Sequence, residues 1–269
     1  MPSRNNNSTL KTGLYLASVT MMAGCSHTKS PQITDALEVQ AINIQAVYAK
    51  DPIVMDGKLD DAIWKDAPSY EMTLGKDRQQ TITAPIEGGT LRFAWNEDFF
   101  YLAIDFIDAD VVAEGTKDGE RHFLLGDLAE LFLWPEDNRW YWELYATPHQ
   151  MQSSFFYPSG GRLGLPSTME KSMDLTVMTQ VQGTLNDWSD RDQGWTAEVA
   201  VPVSALTERG ESWGTESAWR IQVGRYNYSV SLPSKELSAV SPLTRTNFHR
   251  LEEYGHLQLM PKDVVDTSE

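Results

Sequence analysis

The chain has 269 residues, 41% hydrophobic and 22% charged, the composition of a globular protein rather than a fibrous or disordered one. Its formal net charge of −16 argues against nucleic acid and anionic membrane surfaces as partners, since both repel it. Its single cysteine, Cys25, rules out an intrachain disulfide.

Residues 1–24 read as a signal peptide. Arg4 and Lys11 supply positive charge, and Leu14, Leu16, Val19, Met21 and Met22 supply an apolar run too short to span a bilayer. The run ends in Met22-Ala23-Gly24-Cys25, and small residues before a lone cysteine resemble a bacterial lipobox. Cleavage before Cys25 and lipid attachment to its thiol are expected, with Ser26 compatible with sorting to the outer membrane. The mature chain is then expected to face the periplasm or the exterior, touching the membrane through its lipid alone. Residues 25–45 comprise this Cys and a polar, flexible tether. The folded domain is expected to span 46–269.

From Ala46 the chain reads as short strands and turns. Thr90–Trp95 alternates, with Leu91, Phe93 and Trp95 on one face. Asn96-Glu97-Asp98 has turn chemistry, and Phe100–Phe106 returns with Phe100, Leu102, Ile104 and Phe106 on one face. Leu128–Trp134 and Arg139–Thr147 form a second pair around Pro135-Glu136-Asp137-Asn138. Further strands are expected at 175–181, 195–201, 219–228 and 256–259. Helix is scarce: one turn at Leu59–Trp64 and one at Val203–Leu206. Many short strands with regular turns predict an antiparallel β-sandwich.

Several segments in order resemble one family. Ile53-Val54-Met55-Asp56-Gly57-Lys58-Leu59-Asp60-Asp61-Ala62-Ile63-Trp64 is similar to the opening signature of family 9 carbohydrate-binding modules. Leu91–Ala103 looks like that family's first hairpin. Asp127-Leu128-Ala129-Glu130-Leu131-Phe132 and Tyr141-Trp142-Glu143 onward to Pro148 resemble two of its strands. Gly194-Trp195-Thr196-Ala197-Glu198 to Pro202, Trp219-Arg220 to Arg225, and Phe248-His249 to Leu257 complete the series. Gln222 stands where Asn is common and Leu251 where Pro is common. The resemblance implies an all-β, immunoglobulin-like or jelly-roll-like sandwich, and carbohydrate as the ligand class.

Glu130, Glu143 and Glu198 each sit inside an otherwise apolar strand. Tyr141 and Tyr145 share the face of Glu143 by the two-residue period. Such a carboxylate is either exposed, bonded to a structural arginine such as Arg220 or Arg225, or part of a polar row that accepts sugar hydroxyls or binds Ca²⁺. Trp64, Trp95, Trp195 and Trp219 fall at expected core positions. Trp140, Trp142 and Trp188 are each either a stacking platform or a packing residue. The expected site comprises Glu130, Trp142, Glu143, Trp188, Arg225 and Asn227. Parity limits it, because adjacent strand residues Trp142 and Glu143 point to opposite sides.

No cofactor is required by the sequence. Asp187, Asp190 and Asp192 form a loop that either binds Ca²⁺ or is simply solvated. His122, His149, His249 and His256 lack metal-ligand spacing, and a structural hydrogen bond is expected for His249. There is no nucleophile elbow, catalytic thiol or phosphate-binding glycine loop; paired carboxylates leave glycoside hydrolysis as the one enzymatic alternative, and on a sandwich resembling a binding module no enzyme activity is expected. The expected role is non-catalytic carbohydrate binding in support of polysaccharide capture and catabolism. Two rivals are a haem-binding redox domain using His149 with Met151, Met169, Met173 and Met178, and an envelope lipoprotein without a small ligand.

Overall fold

The computed structural model describes residues 38–79, 82–166 and 172–262. Residues 1–24, Cys25, most of the tether and Met169 lie outside the described residues. The described part of the folded unit begins at Glu38. It is mostly β, with a large mixed sheet nearly closed into a barrel-like shape.

The strands are β1 (Asn43–Tyr48), β2 (Tyr70–Glu71), β3 (Gly89–Trp95), β4 (Phe99–Ile107), β5 (Leu128–Pro135) and β6 (Tyr141–Ala146). They continue with β7 (Gln152–Tyr157), β8 (Thr176–Gln182), β9 (Gly194–Pro202), β10 (Trp219–Asn227), β11 (Glu236–Ala239) and β12 (Gly255–Leu259). Two short helices, α1 (Ala62–Asp66) and α2 (Val203–Leu206), lie where helical turns were expected. The strand order is β7-β6-β5-β10-β12-β1-β3-β4-β9-β8, with β11 beside β10 and β2 beside β3.

Pairing departs from the antiparallel expectation at β1. Its first half runs parallel to β12, from Asn43↔His256 to Ala46↔Leu259. Its second half runs parallel to β3 through Val47↔Ala94 and Tyr48↔Trp95. One strand thus joins two arms of the sheet. The reason is apolar: Ile44 and Ala46 both reach the core, where no exposure remains. Accordingly β1 begins at Asn43, three residues before the domain start read from the sequence.

Both arms contribute to one core. Phe93, Phe100, Leu102, Ile104, Trp195 and Val199 come from the β3-β4-β9 arm, and Leu131, Leu133, Trp142, Leu144, Trp219 and Ile221 from the β5-β6-β10 arm. Alternation along each strand sets this assignment and leaves every second residue on the outer face. The β3–β4 hairpin closes as its sequence predicts, since Oδ1 of Asn96 accepts from the backbone N–H of Asp98 and Phe99 at 2.9 and 2.8 Å.

The opening signature has a structural cause centred on Glu198 of β9. Its Oε2 accepts from the N–H groups of Asp56 and Gly57 at 2.9 and 3.0 Å, and its Oε1 from Trp64 Nε1 at 2.8 Å. A carboxylate on the outer face of β9 therefore fastens the Asp-Gly turn and α1 over the sheet. Gly57 is required twice: its φ is +79°, and a Cβ there would stand 2.7 Å from the Thr179 backbone. Trp64 is buried, as the sequence predicts, among Ala94, Tyr101, Ala103 and Ala200. The structural partner of Glu198 is thus the opening loop rather than an arginine.

Candidate functional site

The outer face of β5, β6, β7 and β10 carries an aromatic cluster of Leu128, Phe132, Tyr141, Tyr145, Phe155 and Tyr157, with Tyr226 and Phe123 packed against it. Period-two alternation puts Glu130 and Glu143 on this same face. Register sets Glu130 opposite Tyr145, and Glu143 opposite Phe132 on one side and Phe155 on the other. Glu130, Glu143, Tyr145, Phe155 and Tyr157 line a cavity of about 200 Å³, completed by Arg121, Phe123, Tyr226, His249 and the Leu163-Gly164 turn. Its lining combines aromatic rings with two carboxylates, tyrosine hydroxyls, the His249 imidazole and the Arg121 guanidinium.

Both acids are almost wholly buried, Glu130 at 3% exposure and Glu143 at 2%. Burial pushes Glu143 up from 4.5 to about 7, although the Tyr145 hydroxyl donates to its Oε1 and holds it back. Burial raises Glu130 well above the usual carboxylate range, and the neighbouring Glu143 raises it further. Two acids buried in one apolar cavity favour holding a proton near neutral pH. The hydroxyls of Tyr145, Tyr157 and Tyr226 are also held protonated, again chiefly by burial. His249 accepts or donates at Nδ1 with the Tyr141 hydroxyl at 3.1 Å, which matches the structural hydrogen bond expected of it. Its Nε2 lies 3.6 Å from Glu143 Oε2, and burial lowers its pKa to about 4, so it stays neutral.

The expected site residues separate. Glu130 and Glu143 share the outer cavity. Trp142 faces the opposite way, fully buried in the core against Phe156. Arg225 and Asn227 also lie on the core side of β10. Arg225 donates to the carbonyls of Glu87, Gly88 and Ile107 at 2.7, 2.7 and 2.9 Å, and to Asp108 at 3.0 Å. Its guanidinium also covers the Phe106 ring at 4.5 Å. Asn227 donates to Glu87 Oε2 at 2.9 Å. This arrangement ties the ends of β3 and β4 to β10. Trp188 stands on a separate loop at 74% exposure. Trp140 packs on Phe156 and Trp219.

The Asp187–Asp192 loop spends its carboxylates on backbone. Asp192 accepts from the N–H of Val111 and Thr184, both at 2.7 Å, and Asp187 accepts from the Ser189 N–H at 3.0 Å and its hydroxyl at 2.6 Å. Among the described residues no group of three or more acid, His or Cys side chains could hold a metal ion. Of the haem candidates, Met173 is buried in the core and His149 is exposed. A second cleft of about 200 Å³ runs between Leu74, Ile86 and Leu237. Its buried acid, Glu236, already accepts from the N–H of Ile86 and Glu87.

Sequence reasoning missed Phe123, Phe155, Tyr157 and Tyr226 as lining residues, and missed β7 altogether. The signal was present in Gln152-Ser153-Ser154-Phe155-Phe156-Tyr157, where Ser153, Phe155 and Tyr157 alternate with core-facing neighbours. Phe123 sits in a short 3-10 turn at His122–Leu124, whose placement no local pattern announces.

Residues 54–260 match the family described as carbohydrate family 9 binding domain-like. A proposed carbohydrate-binding protein from Bacteroides uniformis superposes with a TM-score of 0.59 at 15% identity, over 82% of this chain and 100% of that one. A family 9 carbohydrate-binding module from Caldicellulosiruptor kristjanssonii, solved with cellotriose, gives 0.55 at 11% identity over 84% and 98%. The same module solved with glucose gives 0.54 at 11% identity over 83% and 99%. At such identities these likenesses show the fold. No match is found among curated proteins.

Proposed function

Since the chain belongs to the carbohydrate family 9 binding domain-like family, we propose that it binds carbohydrate non-covalently through the cavity around Glu130 and Glu143. One observation carries this reading: a small cavity combines aromatic faces with buried carboxylates and tyrosine hydroxyls. A sugar ring offers C–H faces to aromatics and hydroxyls to in-plane acceptors, and this cavity supplies both. Its volume of about 200 Å³ suits one sugar ring rather than an extended chain.

Support for the ligand class comes from the family and from the modules solved with cellotriose and glucose. The two arms that share one core are read as the layers of a β-sandwich, the architecture the strand pattern predicts. The segment before the domain supports a lipid anchor at Cys25 and an outer-membrane location, since small residues precede a lone cysteine. In that setting the domain captures polysaccharide for separate enzymes and performs no hydrolysis itself.

Calorimetric titration of the full chain with glucose, cello-oligosaccharides and a panel of other sugars tests the site. Binding of at least one sugar should be lost in Tyr157→Ala while circular dichroism stays unchanged. Binding that survives in a folded Tyr157→Ala protein refutes the cavity as the site. For the anchor, Cys25→Ala should release the protein from membranes, and equal palmitate labelling of the variant would refute lipidation there.

A further inference from the structure

We propose that this cavity selects an amino-bearing sugar ring, its ammonium group seated between Glu130 and Glu143 and against the surrounding tyrosine and phenylalanine rings. The inference rests on the carbohydrate reading above and adds the charge of the ligand to it.

The argument starts from an excess of acceptors. One ionised carboxylate, with two acceptor oxygens, is enough to take a pair of sugar hydroxyl protons. Here two buried carboxylates line one small cavity. Tyr145 donates to Oε1 of Glu143, and Oε2 lies 3.6 Å from the uncharged His249 imidazole. An ionised acceptor in a buried setting is costly unless a positive charge offsets it. An ammonium group is the complementary chemistry, with three donors, no acceptor and a full positive charge.

Among the described residues, the cations beside the cavity stand at its exposed rim. His249, from the segment after β11, is held neutral by burial. From the other elements packed around the acids, the titratable groups are the phenols of Tyr141, Tyr145, Tyr157 and Tyr226, all held protonated. Arg121 stands at the exposed rim. Lys235, also exposed, places its Nζ 5.1 Å over the Tyr226 ring and 5.3 Å over Tyr228. Tyr226 thus already attracts an ammonium group from the rim side. Aromatic rings with carboxylates among them form a cage for an organic cation, and desolvation strengthens both attractions. A hydroxyl in the same place leaves the second acid to be neutralised by a proton. The ammonium group instead displaces that proton.

Two readouts test this on the full chain. The first is affinity for glucosamine against glucose and N-acetylglucosamine, measured by calorimetry at neutral pH. Glucosamine should bind roughly tenfold tighter than either neutral sugar, and Glu143→Gln and Glu130→Gln should each erase the preference. The second is proton release, read in wild type as binding heat that varies with the ionisation enthalpy of the buffer. Release of a proton on glucosamine binding, and none with glucose, supports the inference without any variant. If neutral sugars bind and glucosamine gains nothing, the amino-sugar inference falls while carbohydrate binding stands. If no sugar binds, both fall.

Discussion

Replacing Glu198 by Ala tests the account of the opening signature most directly. The side chain is fully buried and accepts three hydrogen bonds, from two backbone N–H groups and one indole. Truncation leaves three donors facing a void. Each orphaned buried donor costs about 1–3 kcal/mol, and relief of the buried carboxylate returns part of that. Burial raises the Glu198 pKa, which marks this strain on the charged form. The net loss expected for Glu198→Ala is about 3–5 kcal/mol. Glu198→Gln keeps one oxygen acceptor and loses the other, so about 1–2 kcal/mol is expected. Urea unfolding followed by tryptophan emission and by circular dichroism gives both numbers. Trp64→Phe removes the indole donor together with some ring volume, and combining it with Glu198→Gln should cost less than the sum of the two. A Glu198→Ala protein within about 1 kcal/mol of wild type would refute the clamp.

Three further outcomes follow from other parts of the molecule. Arg225→Ala strands Asp108, with which Arg225 pairs at 3.0 Å without solvent contact, so a loss of about 3–5 kcal/mol is expected. Denaturant melts check it, and a stable Arg225→Ala protein that has lost only sugar affinity would return Arg225 to the binding site. Burial raises Glu143 from 4.5 to about 7, so the stability this group contributes is complete below about pH 4.5 and lost as pH rises through about 7. Glu143→Gln stays neutral and should flatten the fall in Tm between about pH 5 and about pH 8, whereas an unchanged profile contradicts the assignment. A chain truncated to begin at Ala46 loses Ile44 and its pairing with Leu257, and its Tm should drop by roughly 5–10 °C relative to one beginning at Leu37. Equal Tm values would show that β1 needs only its second half.

The sequence made most strands legible because their inner faces alternate strictly, as in Leu91-Arg92-Phe93-Ala94-Trp95. It also placed Tyr141, Glu143 and Tyr145 on one face, and flagged that Trp142 had to point away from Glu143. Which face held the cavity was not legible, because both faces of β6 are buried. The core side of β10 shows the same limit: Arg225 looks like a ligand contact in sequence, and only tertiary contact shows that three backbone carbonyls surround it. Parallel pairing of β1 was hidden for a different reason. Its partners lie at the far end of the domain and in β3, and no local pattern encodes strand direction.

The position of β1 also determines how the domain bears load. Strands β1 and β12 lie side by side and point the same way, one at the entrance of the folded unit and one at its exit. Tension applied between residue 42 and residue 260 therefore slides the two strands along each other. All the rungs between Asn43↔His256 and Ala46↔Leu259 resist together, where a hairpin pulled at its open end would yield one rung at a time. Single-molecule pulling along that axis should register a distinctly higher rupture force than pulling across the β3–β4 hairpin, and equal forces would show that the strands do not act as a shear lock.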